Sequence, residues 1–479
     1  MTEENYNRRS VITRRGVALV ITVSLAAAIL VAGCGRKLPL IDNDLSQRLD
    51  EYVQALNQAC ENQQVSGSIY ITQKGEIVAA KFYGLADYRK QQPFSPQTRF
   101  LLCSATKVFT AIGIMQMQEK GLLRLDDCLS QYYPDQLWTE KITIRQLLTH
   151  TAGVLRDVTD RGLISPYEYT DRSLLQSQIL QSPLLFRPGT DMAYSNAGYQ
   201  LLAGIIEKVS GLTYGKYLKK YIFGPAKMAG TGCIDMGAEA ENLAPGHEYS
   251  SGSFYKQVPY DLSHAFGSGN IYTTPNDMAL FDKALLNGVL IKADTLAQMA
   301  VDNTGLDRGY GLGCYVDKFE GSEWFGHFGN FSSGYFSCYV HFPQESIGII
   351  MLFNTNWSDN TSIMKAASTI ALGRSCSLPQ KRQRLAPDQV APALYEGVYE
   401  APGGQAITIK SVDGLLMAFS DRAAPMTAFA KNRFYDSLHE LWEYTFETDN
   451  NGKVAGCVVS NGFDTIRLKK KEGDYSGKQ

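Results

Sequence analysis

A hydroxyl and an amine three residues apart on one helical face can exchange a proton, and Ser104 and Lys107 offer that pairing. The same Ser-x-x-Lys spacing recurs at Ser253–Lys256 and Ser362–Lys365. About two such matches arise by chance in a chain of this size, so spacing alone selects none. Context separates them. Ser253 sits in a Gly/Ser/Tyr-rich loop, and Ser362 lies in a helix behind the last apolar strand. Ser104 stands where an extended segment turns into a helix, and there the free N–H groups and the dipole favour developing negative charge. That setting suits a hydroxyl that gives up its proton. An ordinary lysine, with a pKa near ~10.4, is charged at neutral pH and takes no proton from it. Lys107 therefore needs its pKa lowered by burial or nearby positive charge, and a shift of ~3 units corresponds to ~4 kcal/mol against the ammonium.

The elements that must hold this pair are legible as patterns. Asp44 to Cys60 carries Leu45, Leu49, Val53, Leu56 and Cys60, an apolar stripe at helical spacing. Two strands, Ser68–Thr72 and Ile77–Tyr83, are joined by a Lys74-Gly75 hairpin turn. From Ser104 a helix is expected with Ala105, Val108, Phe109, Ile112 and Met115 on its buried face. The loop-rich middle, about 125–310, holds helical patches at Gln200–Val209 and Asp277–Leu286. Strands return at Tyr335–His341 and in the continuous apolar run Ile347–Phe353, which reads as a central buried strand, and the helix Ser362–Leu372 follows. Arg374 to Pro392 has no periodicity and reads as a linker. Beyond it, six short β-rich runs (Gly397–Tyr399, Ala406–Lys410, Leu415–Phe419, Trp442–Phe446, Val454–Val459, Thr465–Leu468) alternate with Asp-Gly and Asn-Gly turns, predicting a small barrel-like all-β domain.

With these residues placed, the chain resembles a family. Ser104-Ala105-Thr106-Lys107 is followed by Ile142 to Gly153 with its Thr149-His150-Thr151-Ala152-Gly153 end, then Arg187-Pro188-Gly189 and Tyr194-Ser195-Asn196. Thr274 to Phe281, Tyr310-Gly311-Leu312-Gly313, Gly326-His327-Phe328-Gly329 and Ser333-Gly334-Tyr335 complete the series. In that order, over about 65–375, they resemble the serine β-lactamase and penicillin-binding-protein superfamily on its class C side. The terminal domain is similar to the lipocalin-like modules attached to some members. The resemblance implies an α/β (α+β) fold: an antiparallel sheet flanked by helices, with a helical subdomain forming the other wall of the cleft. It implies a serine hydrolase working through an acyl-enzyme; no cofactor is expected, and six scattered histidines with no HExxH imply no metal. Ser104 would be the nucleophile, Lys107 its base and Tyr194 the second proton carrier. Asn196, His327, Gly329 and Asn330 would bind substrate, and the backbone N–H groups of Ser104 and Asn330 would form the oxyanion hole. Taken singly, these residues also have plain readings, Ser104 as a helix cap and Tyr194 as one of 27 tyrosines packed in a core. His150 reads as structural. Cys103, where the family usually carries glycine, reads as a small buried hydrophobe.

The largest departure is His327-Phe328-Gly329, where many penicillin-recognising relatives carry Lys-Thr-Gly. Phe328 has no hydroxyl, and histidine is only partly charged near neutral pH. A substrate carboxylate thus loses partners, at ~1.5–3 kcal/mol for a charge-assisted hydrogen bond. The expectation moves to a D-aminopeptidase, DD-peptidase or esterase acting on a small molecule or peptide. The alternatives are a true β-lactamase and a penicillin-binding sensor that does not turn over.

The N-terminus carries an address. Arg8, Arg9, Arg14 and Arg15 precede an apolar stretch, Gly16 to Gly33, that ends Val31-Ala32-Gly33-Cys34. This resembles a bacterial lipoprotein signal, in which the cysteine becomes the lipidated first residue. Thr13-Arg14-Arg15 also hints at twin-arginine export. The other reading is an uncleaved span of 18 residues. The organisation expected is a signal over 1–33, a tether over 34–43, a hydrolase domain over 44–375, a linker over 376–390 and a β-domain over 391–479. The mature chain would be lipid-anchored at the bacterial cell membrane, facing outside the cytoplasm. With 46 basic against 48 acidic residues and no long basic run, nucleic acid is not an expected partner. Eight further cysteines, with no CxxC, disfavour zinc knuckles and read as readily as buried thiols as disulfides.

Overall fold

Alternation of inward and outward side chains builds a six-stranded sheet in the order Glu76–Tyr83, Gly67–Gln73, Ile347–Phe353, Tyr335–Phe342, Ser322–Phe331, Tyr315–Phe319. Every neighbouring pair is antiparallel. The computed structural model describes residues 42–471 apart from 62–63, 135, 235–239, 251, 356–359, 387–388, 403, 421–422 and 437–439. The expected signal segment and Cys34 lie outside the described residues. Among the described residues no helix is long and apolar enough to cross a membrane.

The sheet is covered on both faces, which is why Ile347–Phe353 is buried at every position. On one face, Ile69, Ile71, Cys338, Val340, Ile349 and Met351 pack beneath the helices Asn43–Ala59 and Asn360–Ala371. On the other, Tyr70, Phe325, Tyr339, Ile350 and Leu352 join a larger core shared with the helical region. At the first hairpin, Lys74 and Gly75 both adopt positive φ, 52° and 73°, the twist that suits a two-residue turn.

The helix expected from Ser104 starts as one 3-10 turn, Cys103–Ala105, and continues as Thr106–Glu119. The single apolar face read from its sequence is a correction point. Every residue from Thr106 to Met117 is buried, because this helix runs through the middle of the core and has no solvent side. Around it stand Asn196–Ser210 and Pro275–Leu286.

The C-terminal strands close into an eight-stranded barrel, Gly397–Glu400 to Thr465–Lys470. The two strands not foreseen are Ala423–Ala430 and Arg433–Asp436. The first is alanine-rich with Pro425 in its interior, so neither β-branched residues nor clean alternation announced it. Phe463 on a barrel loop packs against Phe319 of the body.

Candidate active site

Ser104 is held at the junction of three elements. Phe100–Leu101 pairs with Ile271–Thr273, the Leu102 N–H donates to the Ile271 carbonyl, and the Ile271 N–H donates to the Thr106 hydroxyl. The strand carrying His327 then closes over the turn, with Gly329 against the backbone of Leu102 and Cys103. Cys103 is fully buried, as expected for a small hydrophobe, and its φ of +46° lies in the left-handed region. That conformation explains why glycine suits the position, and a side chain there stores ~1–3 kcal/mol of strain.

Lys107 reaches the nucleophile directly. Its Nζ donates to Ser104 Oγ at 3.2 Å, to Asn196 Oδ1 at 2.7 Å and to the Ser268 carbonyl at 2.9 Å. The side chain is completely buried, while Ser104 is half-buried. Burial holds the Lys107 pKa well below its ordinary value, Asp157 opposes that shift, and Arg156 reinforces it. No carboxylate lies within ion-pair distance of the amine among the described residues; Asp157 is reached only through the Asn196 amide. The protonated amine is thereby disfavoured.

Tyr194 lies over this pair, its ring centroid 4.8 Å from Lys107 Nζ. Its hydroxyl shares a hydrogen bond with Ser104, and burial raises its pKa above that of an ordinary phenol. The segment is fixed by His150: the Ala193 N–H donates to the His150 carbonyl, and the Ser195 N–H donates to His150 Nδ1 at 3.0 Å. His150 is buried against Tyr194, Tyr199 and Tyr310, at 4.4, 5.2 and 4.7 Å between ring centroids. Burial, then repulsion from Lys107 whenever that amine is protonated, holds its pKa well below the ordinary value.

The other expected positions are brought to the same place with specific partners. Asn196 caps nothing and binds at both ends of its amide: Oδ1 accepts from Lys107, and Nδ2 donates to Asp157 Oδ2 at 2.9 Å. His327 is buried, with Nδ1 donating to the Phe328 carbonyl at 2.6 Å and Nε2 accepting from the Tyr310 hydroxyl at 3.1 Å. Burial, and repulsion from Lys107 whenever that amine is protonated, lower its pKa to about 3. At neutral pH the imidazole is therefore uncharged, not partly charged as the residue type alone suggested. Phe328 packs on Trp324 and Tyr315. Asn330 is exposed on the strand Ser322–Phe331.

Asp157, Arg156 and the Ser268 carbonyl were not singled out from the sequence, and Tyr310 was named there only as part of a motif, with no role. Asp157 follows the Thr149–Gly153 motif closely, but its role depends on a contact with a residue 39 positions away. The two rival Ser-x-x-Lys pairs resolve as scaffolding. Ser253 and Lys256 are exposed on the strand Ser253–Lys256, where a separation of three puts them on opposite faces. Ser362 accepts from Asn461 Nδ2 at 2.8 Å and Lys365 pairs with Asp464, so this pair seats the barrel. All eight cysteines among the described residues are free thiols. Among the described residues, no cluster of His, Cys, Asp and Glu suits a metal.

The Beta-lactamase family model matches residues 45–369. The protein PbpX of Bacillus subtilis (strain 168) is 32% identical over 273 residues, which cover 57% of this chain and 66% of PbpX, just under two thirds of that relative. The octameric penicillin-binding protein homologue from Pyrococcus abyssi superposes with a TM-score of 0.62 at 23% identity, covering 89% of this chain and 100% of that one. The D-amino acid amidase from Ochrobactrum anthropi SV3, complexed with L-phenylalanine, does so with a TM-score of 0.60 at 21% identity, covering 69% and 99%. At such identities the two structures speak for the fold. The family match spans more than half of the residues and includes Ser104, Lys107, Tyr194 and His327, so the chain belongs to the beta-lactamase family of serine hydrolases.

Proposed function

We propose that this chain hydrolyses an amide, peptide or ester through an acyl-enzyme on Ser104. The observation that carries this is the 3.2 Å hydrogen bond from a fully buried Lys107, held toward its neutral form, to Ser104 Oγ. The Ser104 proton passes to Lys107 Nζ as Oγ adds to the substrate carbonyl. The carbonyl oxygen takes the negative charge, facing the backbone N–H groups of Ser104 and Asn330; one such donor is typically worth ~3 kcal/mol. As the carbon–nitrogen or carbon–oxygen bond breaks, the Tyr194 hydroxyl gives the leaving group a proton and recovers one from Lys107. Water then attacks the acyl carbon, its proton returns through the same pair, and Ser104 leaves with a hydrogen.

A peptidase, amidase or esterase is favoured over a β-lactamase. A neutral His327, engaged at both nitrogens, offers no cation for the carboxylate of a penicillin or of a D-Ala-D-Ala terminus. On the sequence of its first 34 residues, we also propose export and a lipid anchor at Cys34, facing away from the cytoplasm. Metabolic labelling with an alkynyl fatty acid is expected to mark the wild type and not Cys34→Ser; equal labelling refutes the anchor.

The hydrolase is tested by time-resolved intact mass after mixing with a penicillin, a p-nitrophenyl ester and a D-amino-acid p-nitroanilide. A transient adduct with released product from the ester or anilide is expected, and Ser104→Ala abolishes it. A penicillin adduct that forms and stays makes the protein a sensor. Rapid clearance of the drug makes it a β-lactamase.

A further inference from the structure

The 3.2 Å contact between Lys107 and Ser104 can run in either direction, and its two companions decide which. The Asp157 carboxylate only accepts, so the Asn196 NH2 faces it and the amide oxygen faces Lys107. The second companion, the Ser268 carbonyl, also only accepts. An ammonium donates along all three contacts, but a neutral amine has two hydrogens and one lone pair. With both hydrogens drawn to the acceptors at 2.7 and 2.9 Å, the lone pair is left facing the Ser104 hydroxyl, the orientation that removes its proton. The Ser268 carbonyl therefore aims the base together with Asn196. It belongs to a loop, residues 266–270, between the turn Leu262–Ala265 and the strand Ile271–Thr273.

That loop is tied to the helix Thr106–Glu119 one residue before the Ser268 carbonyl. Thr110 lies three residues past Lys107, and its hydroxyl donates to the Gly267 carbonyl at 2.6 Å. The Tyr214 hydroxyl stands 2.6 Å from the same Thr110 oxygen, and because the Thr110 hydrogen goes to a carbonyl, Tyr214 is the donor. Thr110 and Tyr214 are both completely buried. Gly267, at φ +69°, is pressed against the helix Asn196–Ser210, where a Cβ built on it stands 2.3 Å from Ala203 Cβ. Tyr214 is itself fixed: its N–H donates to Glu207 Oε1 at 2.7 Å, and its ring meets that of Phe266 at 5.3 Å between centroids. We propose that Thr110, held by Tyr214, is a positioning residue for acylation: it fixes the loop that carries the Ser268 carbonyl and so turns the Lys107 lone pair toward Ser104. This rests on the serine-hydrolase reading of Ser104. Without the Thr110 hydroxyl the Gly267 carbonyl is buried without its partner, the loop re-seats to satisfy it, and Lys107 becomes free to point a hydrogen at Ser104.

Single-turnover acylation by p-nitrophenyl butyrate tests this, with folding checked by circular dichroism. Thr110→Val keeps the shape of the side chain and removes the hydroxyl. Its maximal acylation rate is expected to fall ~10- to 100-fold with the half-saturating ester concentration unchanged, because the base is misaimed and no substrate contact is lost. Thr110→Ser keeps the hydroxyl and is expected to restore most of that rate. Tyr214→Phe, which retains the ring on Phe266, is expected to show the same signature in a milder form, and it carries the test if Thr110→Val does not fold. A wild-type rate in folded Thr110→Val, or in Tyr214→Phe where that variant stands alone, overturns the positioning role. So does a loss that Thr110→Ser fails to restore, or one matched by weaker ester binding, since either marks a general disturbance of the fold. Acylation that survives Ser104→Ala overturns the underlying reading instead.

Discussion

Gly329 lies so close to Leu102 that a Cβ built on it stands 2.3 Å from the Leu102 carbonyl oxygen and 2.8 Å from Cys103 Cβ. The strand that carries His327 and Asn330 is thereby pressed onto the turn that carries Ser104. Ser337 Oγ strengthens the same seam by donating to the Leu102 carbonyl at 2.5 Å.

Gly329→Ala is therefore expected to push the strand off the nucleophile turn while the sheet, in which this strand is paired over Ser322–Gly326 on one side and Phe325–Phe331 on the other, persists. A displacement of ~1 Å costs ~10²-fold in kcat/KM. Ester turnover with circular dichroism checks it, and unchanged turnover refutes the close approach.

Lys107→Met is expected to lower acylation by ~10²–10⁴-fold and to raise the melting temperature by a few degrees near pH 7. The folded amine has a pKa well below its ordinary value because of burial. Between that lowered value and ~10.4 the unfolded chain binds the extra proton, so Lys107 makes stability rise with pH and costs stability at neutral pH. Thermal melts from pH 6 to 9 should show a smaller pH slope in the variant.

His327 works in the same direction at lower pH. Its folded pKa of about 3 lies below an unfolded value of ~6.5, so stability is full above pH 6.5 and is lost as pH falls toward 3. The loss is ~1.4 kcal/mol per pH unit across that window. His327→Gln is expected to flatten the slope of urea-unfolding free energy between pH 6.5 and 4.5, and an identical slope refutes the assignment.

Asn461→Ala removes the hydrogen bond to Ser362 at the seam between body and barrel. A loss of ~1 kcal/mol is expected, seen in calorimetry, with kcat for the ester within twofold of wild type. A large fall in kcat with an unchanged melting profile contradicts a purely seating role.

Much of the frame was readable because one-dimensional patterns map onto it. The continuous run Ile347–Phe353 could only be a strand covered twice, and the Lys74-Gly75 turn set the pairing of its flanking strands. Ser104, Lys107, Tyr194 and Asn196 were readable as an ordered set and do converge on one amine. What escaped depends on the third dimension. Asp157 acquires meaning only when the Asn196 amide bridges it to Lys107, and the neutrality of His327 follows from burial beside that lysine. The strand Ala423–Ala430 escaped for a local reason, since its register is imposed by its neighbours on the barrel.

The pair Ser362 and Lys365 has a practical consequence for mutational screens. Both residues match the nucleophile spacing, and both bear on the barrel's seating. Replacing either is expected to reduce yield or thermal tolerance, and in a plate assay that deficit is indistinguishable from lost catalysis. Scoring variants by turnover per folded molecule, titrated with an active-site label, sorts the two: substitutions at Ser362 lower the number of competent molecules, and substitutions at Ser104 remove the label altogether.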